Sequence, residues 1–139
     1  MGNTGLQVVF DRYMAAVKAS DAEALLALYD DDVHVFDMME PFERHGRDSG
    51  REMMESWLGD KNATQDCTIE DLSVIESGDL AAARAAVRYG VTMADGTRHT
   101  MWNRATWTLR RFDGEWRIVT EHTSVPLGEE DMQPRFEAR

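Results

Sequence analysis

The segment Leu80–Val91 reads LAAARAAVRYGV, and whether it forms a helix or a strand decides the architecture of this 139-residue chain. Its five alanines favour a helix on intrinsic propensity. Its borders argue the other way. SGD at 77–79 precedes it, ADGT at 94–97 follows it, and a third turn signal lies in FDGEW at 112–116. Asp-Gly between runs of β-forming residues is the strongest local cue for a hairpin. Gly78, Gly96 and Gly114 stand 18 residues apart, so the segment matches its neighbours in length. It is therefore read as a strand in an antiparallel meander at about 64–77, 80–94, 97–112 and 115–125. The even spacing is not a sequence repeat, because the intervening residues do not match. Gly90 predicts a bulge, since strands this long need one, or a strong twist, to curl.

Before residue 62 the apolar period is helical. Leu6, Phe10, Tyr13, Met14 and Val17 form one stripe on a first helix. SDAE at 20–23 has the form of a capping box and opens a second helix through Leu25, Leu26, Leu28 and Tyr29, ended by the acidic run Asp30–Asp32. A short strand and the polar loop EPFERHGRD follow. SGRE at 49–52 then starts a third helix with Met53, Met54, Trp57 and Leu58 as its stripe. Helices first and strands last predict an α+β fold, with three N-terminal helices packed in a strongly curved, mainly antiparallel sheet. One domain spans 1–126, and residues 127–139 read as a polar, loose tail.

Net charge is −11, from 26 acidic against 15 basic residues, which makes nucleic acid and membrane surfaces poor partners. Cys67 is the single cysteine, so no internal disulfide can form and a reducing compartment is the simpler setting. The start lacks the order of a signal peptide, and no run approaches the roughly 18 apolar residues of a membrane span. The expectation is a cytoplasmic protein. His34, His45, His99 and His122 have no metal-ligand spacing and no glycine-rich phosphate loop is present, so neither metal nor cofactor is expected.

The short strand carries VHVFDMMEPF at 33–42, with Asp37 set among apolar residues. A carboxylate there must be paired, protonated or used. It reads either as a general base for a proton next to a carbonyl, or as a turn-starting Asp bonded to its own backbone.

The opening DRYMAAVKASDAEALLALYDDDV at 11–33 and the ending RRFDGEWRIVTEHTSVP at 110–126, with its G-x-W-x-I core, resemble the nuclear transport factor 2-like superfamily. Within it, the chain is most similar to the SnoaL-like and ketosteroid isomerase-like proteins. The resemblance implies a cone-shaped, cystatin-like α+β barrel with a pocket at its open end. It places the isomerases' helix tyrosine on Tyr13 and their base on Asp37. Their third group, a strand acid that helps hold the oxyanion, falls on or near Thr108, which can donate one hydrogen bond. The Asp-Arg-Asp triad of the epoxide hydrolases of this fold is broken, because Thr106 stands two positions after Arg104.

Trp102, Arg104, Thr106 and Thr108 alternate and share a strand face. Turned inward, they line the pocket, with Arg104 binding a carboxylate or carbonyl oxygen. The apolar Ala105, Trp107 and Leu109 then lie on the outer side of the sheet and argue for a homodimer through it. A type I turn with a bulge at FDGE brings His122 inward, whereas a two-residue turn brings Glu121. The bulge form is expected, because the resembled family tends to carry a histidine two places before the serine of this strand. Trp57 and the methionines beside it either line the pocket or belong to the core. The function expected is cofactor-independent proton transfer, of isomerase or cyclase type, on a small apolar carbonyl compound. The alternative is a non-catalytic dimeric module that binds a ligand or scaffolds a partner.

Overall fold

The computed structural model describes residues 5–137. Helix α1 (Leu6–Lys18) is followed by α2 (Ala22–Leu26), strand β1 (Tyr29–Phe36), a two-residue β2 (Arg44–His45) and α3 (Arg51–Leu58). Four long strands complete the chain: β3 (Ala63–Ser77), β4 (Leu80–Met93), β5 (Arg98–Phe112) and β6 (Glu115–Ser124). The order of strands in the sheet is β2-β1-β6-β5-β4-β3, with β1 parallel to β6 and the other pairs antiparallel. The alanine-rich segment is strand throughout, pairing with both β3 and β5. The hairpin signals around it override its propensity.

The helical half is shorter than expected. Only α1, with 13 residues, is a long helix; α2 has five and α3 eight. Asp21, not Ser20, caps α2 by accepting the Ala24 N–H at 3.0 Å. Leu28 and Tyr29 leave the helix, and the acidic run Asp30–Asp32 belongs to β1. No side chain caps α3, whose first turn continues a 3-10 turn at Arg47–Gly50.

Helix α1 packs against the edge strand β3 and also against β6, three strands away. Strands lie roughly 4.8 Å apart, so a single helix of about 10 Å diameter reaches both only if the sheet bends around it. Leu6, Phe10, Tyr13 and Val17 of the predicted stripe are buried, and Phe10 meets Trp107 of β5 with ring centroids 4.9 Å apart. This contact settles which face of β5 is internal. Asn103, Ala105, Trp107 and Leu109 are buried, while Arg104 and Thr106 are exposed. The expected faces are therefore reversed. The apolar row lies on the helix side, where the apolar stripe of α1 covers it through Phe10.

Gly90 marks no bulge. It pairs regularly with Asp66 and Thr100. A Cβ there would fall 2.5 Å from the Arg98 guanidinium and 2.7 Å from Asp66, so glycine leaves room for that ion pair to cross the strand. Bulges or register breaks lie instead at residues 71–72 of β3, with Asp71 at φ 56°, at Val119 of β6, and between Tyr29 and His34 of β1. Residues 127–136 are held by contacts rather than loose, and 138–139 lie outside the described residues. Leu127 bridges to Pro134, Arg135 N–H donates to Pro126 at 2.9 Å, and Trp102 N–H donates to the Phe136 carbonyl at 2.8 Å. Phe136 thereby lies alongside the backbone of β5, beyond the Arg104–Ser124 pair where β6 ends. No helix is long and apolar enough to cross a membrane among the described residues.

Phe10→Ala removes the ring that seats α1 on the sheet, and should lower unfolding free energy by about 3–5 kcal/mol. Urea titration measures this. A loss below about 1 kcal/mol would show that the Phe10–Trp107 contact does not hold the two layers together.

Candidate functional site

Five side chains from five elements meet inside the sheet. Tyr13 comes from the α1 stripe, Tyr29 opens β1, Tyr89 lies on β4, Trp107 on β5 and Glu121 on β6. The Tyr29 hydroxyl donates to Glu121 Oε1 at 2.6 Å, and the Trp107 indole N–H donates to the same oxygen at 3.0 Å. The Tyr13 and Tyr89 hydroxyls are hydrogen-bonded at 3.0 Å, and Tyr13 also interacts with Tyr29. Glu121 is 7% exposed. Its burial pushes the carboxyl above the ordinary range, against the bonds from Tyr29 and Trp107, and the charge of Asp37 adds to the rise. Burial likewise holds all three tyrosines far above the usual phenol range, which keeps them as hydroxyl donors. A void of about 10 Å³, the size of one water, lies beside Tyr29, Arg44, Met54 and Glu121.

Asp37 stands where β1 ends. Its Oδ2 accepts the Met39 N–H at 3.0 Å, the turn geometry of an Asp bonded to its own backbone. Its Oδ1 accepts the Thr123 hydroxyl at 3.2 Å, and Thr123 Oγ1 in turn accepts the Met38 N–H at 2.8 Å. The carboxylate borders an open depression of about 660 Å³ that Phe36, Met38, Phe42 and His122 also line. On its other side its charge is felt by Tyr89 and Glu121. Asp37 thus sits at the boundary between the polar interior and this depression.

The structure brings some predicted residues together and separates others. Asp37 and His122 share the depression, with His122 edge-on to Phe36 at 5.5 Å. Trp57 is half-buried and edge-on to Tyr89 at 5.6 Å, next to the tyrosine pair. Trp102, Arg104, Thr106 and Thr108 do not face the interior; they lie on the outer side, where Arg104 Nε donates to Ser124 Oγ at 3.2 Å. The homodimer expectation loses its basis with them, because Ala105, Trp107 and Leu109 are core.

The register of β6 is also corrected. FDGE turns through two residues, Asp113 and Gly114, both at positive φ (48° and 84°), the type I′ geometry. Val119 is then skipped, so Thr106 pairs with His122 and Trp107 with Glu121. Glu121 faces in and His122 out.

Tyr29, Tyr89 and Asn103 carry no clear signal as site residues in the sequence, and Glu121 stands there only as the alternative to His122. Tyr29 was absorbed into a helix. Tyr89 follows Val87 at strand spacing on the buried side of β4, a signal masked by the alanines around it. Asn103 is 7% exposed, donates its amide to Met38 Sδ at 3.4 Å, and its Oδ1 has no partner among the described residues. One polar residue in an otherwise apolar strand row was its signal.

The SnoaL-like domain model matches residues 6–128, and the chain belongs to that family, within the nuclear transport factor 2-like superfamily. No curated protein matches it. Among solved structures it is similar to a nuclear transport factor 2-like protein of unknown function from Pseudomonas putida KT2440. Identity there is 28%, with 96% of this chain and 93% of that one covered, at a TM-score of 0.84. A ketosteroid isomerase-like protein from Erwinia carotovora atroseptica SCRI1043 is 24% identical over 86% and 92% of the two chains, at 0.67. A nuclear transport factor 2-like protein with a cystatin-like fold from Novosphingobium aromaticivorans is 21% identical over 92% and 84%, at 0.74. Below 25% identity these likenesses speak for the fold alone.

Because the Glu121 carboxyl is raised in the fold, its contribution to stability is full below the unfolded value of about 4.3. That contribution is lost as pH rises through the folded value. Glu121→Gln removes the titration. Urea midpoints from pH 4 to 8 should fall more steeply with rising pH in the wild type than in the variant. Parallel curves would mean that Glu121 ionises as freely in the fold as in the unfolded chain.

Proposed function

We propose that the chain is a cofactor-independent proton-transfer enzyme, of isomerase or cyclase type, acting on a small apolar carbonyl compound. Asp37 takes the proton next to the carbonyl. The Tyr13–Tyr89 hydroxyl pair, backed by Tyr29 and Glu121, receives the negative charge that develops on oxygen. The observation that carries this reading is the division of labour between two acids. Asp37 borders an open depression, whereas Glu121 is buried behind it, where desolvation raises its carboxyl above the ordinary range. Paired titratable groups in such unlike surroundings suit acid and base roles within one site.

Met38 lines the depression and its Sδ accepts the Asn103 amide at 3.4 Å; displacement of this flexible side chain is the route by which substrate would reach the tyrosines. A carbonyl oxygen held there accepts hydrogen bonds from neutral phenols, and those bonds strengthen as enolate charge grows. Burial favours this role, since an ionised tyrosine could not donate.

A second reading, a binding module without chemistry, is favoured by one specific contact pattern. Both Asp37 oxygens already accept hydrogen bonds, from Met39 and Thr123, as a purely structural turn residue would.

Exchange of α-hydrogens in a panel of small cyclic ketones, followed by NMR in heavy water, separates the two. The wild type should accelerate exchange of at least one ketone. Asp37→Asn should lower that rate about a hundredfold or more with little change in KM, and Tyr13→Phe by about ten- to a hundredfold. Binding without exchange, or exchange indifferent to Asp37→Asn, supports the binding module and sinks the enzyme.

A further inference from the structure

Asn103 is the polar member of the inward row of β5, which continues through Ala105, Trp107 and Leu109, and it is 7% exposed. Its side-chain Nδ2 donates to Met38 Sδ at 3.4 Å, while Oδ1 is buried and has no partner among the described residues. A thioether sulfur accepts a hydrogen bond but has no hydrogen to give. The contact with Met38 therefore fixes which way the amide is turned, and the atom left open is an acceptor.

Its surroundings supply no donor for that oxygen. Val87 of β4 is paired with Asn103, and on the other side β6 ends one position short of it, at the Arg104–Ser124 pair. Thr123, near that end of β6, is already committed: its hydroxyl donates to Asp37 and accepts the Met38 N–H. Leaving a buried acceptor open costs stability, so a donor that arrives with a ligand would recover what the empty fold forgoes.

Asn103 also joins the two halves of the proposed site. Met38, which it touches, lines the depression beside Asp37. Tyr89 pairs with Met101 and is thus the diagonal neighbour of Asn103 on the inner face, at a separation of roughly 7–8 Å. The Tyr89 hydroxyl in turn is bonded to that of Tyr13. A molecule that displaces Met38 and brings an oxygen to the tyrosine pair has Asn103 beside it.

We propose that the ligand is a hydroxy ketone, whose hydroxyl donates to Asn103 Oδ1 while its carbonyl oxygen lies on the Tyr13–Tyr89 pair. The assignment rests on the proton-transfer reading for the carbonyl and adds the residue that selects the substrate. A hydroxyl is a donor that the site can hold without bringing a further charge inside. An analogue lacking it is rejected, because the amide oxygen is then left unpaired in the complex as well.

NMR titration of the full chain with 4-hydroxycyclohexanone, and with 4-methylcyclohexanone as the isostere without a donor, tests this. The hydroxy ketone should bind about tenfold or more tightly and should shift the side-chain amide resonance of Asn103. Asn103→Leu, similar in volume but without the acceptor, should erase the preference, and circular dichroism checks that the variant folds. The comparison of the two ketones on the wild type decides the matter even where the variant does not fold. Equal binding of the two ketones, or tighter binding of the methyl compound, overturns the proposal. So does a preference that survives in Asn103→Leu, as it would where Oδ1 merely holds an internal water. Exchange of α-hydrogens in heavy water is followed separately. A hydroxyl preference without exchange keeps Asn103 as the selecting residue and removes proton transfer, whereas exchange without the preference removes the role of Asn103 alone.

Discussion

The row Ala105–Trp107–Leu109 has one place to go, beneath α1, and the rest of the molecule follows from that contact. A 13-residue helix with one apolar stripe cannot stay folded alone in water. A sheet with one apolar face must cover that face. Each solves the other's problem, and the Phe10–Trp107 contact is where they meet. Once Trp107 points inward, strand alternation sends Arg104 and Thr106 outward. Pairing with β6 then carries Glu121 and Thr123 inward. The candidate chemistry is thus a consequence of how the helix is seated.

Placing a carboxyl and three phenols in that interior is unfavourable unless their polar atoms are partnered. Here the partners come from within the cluster: Tyr29 and Trp107 serve Glu121, and Tyr13 and Tyr89 serve each other. Burial also resolves the charge problem by favouring the protonated acid. Such a network ties α1, β1, β4, β5 and β6 to one arrangement, because sliding any of them strands a buried donor or acceptor. Asn103 Oδ1 is an acceptor left without a partner among the described residues, and the amide that carries it donates to Met38, the residue after Asp37.

The same alternation that builds the interior equips the exterior. Residues expelled from the core side of β4 and β5 place Arg84 and Arg104 outside, and the Trp102 N–H of β5 bonds to the Phe136 carbonyl. The tail is rich in charged residues and reads as solvated, yet it is held by backbone hydrogen bonds to β5 and within itself. Composition reports how well a segment tolerates water. It does not report whether a neighbouring strand offers it a free N–H.

Much of this fold is legible in one dimension, because its cues are local. Asp-Gly pairs fix where chain reversals fall, alternation marks strands, and the three- and four-residue spacing of Leu6, Phe10, Tyr13 and Val17 marks a helix face. Those cues were enough to make LAAARAAVRYGV a strand, and to pick out Tyr13 and Asp37 as residues of interest. Alternation, however, distinguishes two faces without saying which one is covered; only the docking of α1 on Trp107 decides that. The skipped Val119 leaves no mark in composition, yet it carries Glu121 into the core and His122 out of it. Tyr29, Tyr89 and Glu121 lie far apart along the chain, so their meeting belongs to sheet curvature and register. Local sequence sets the conformation of each segment, but the packing of one segment on another decides which side chains become neighbours.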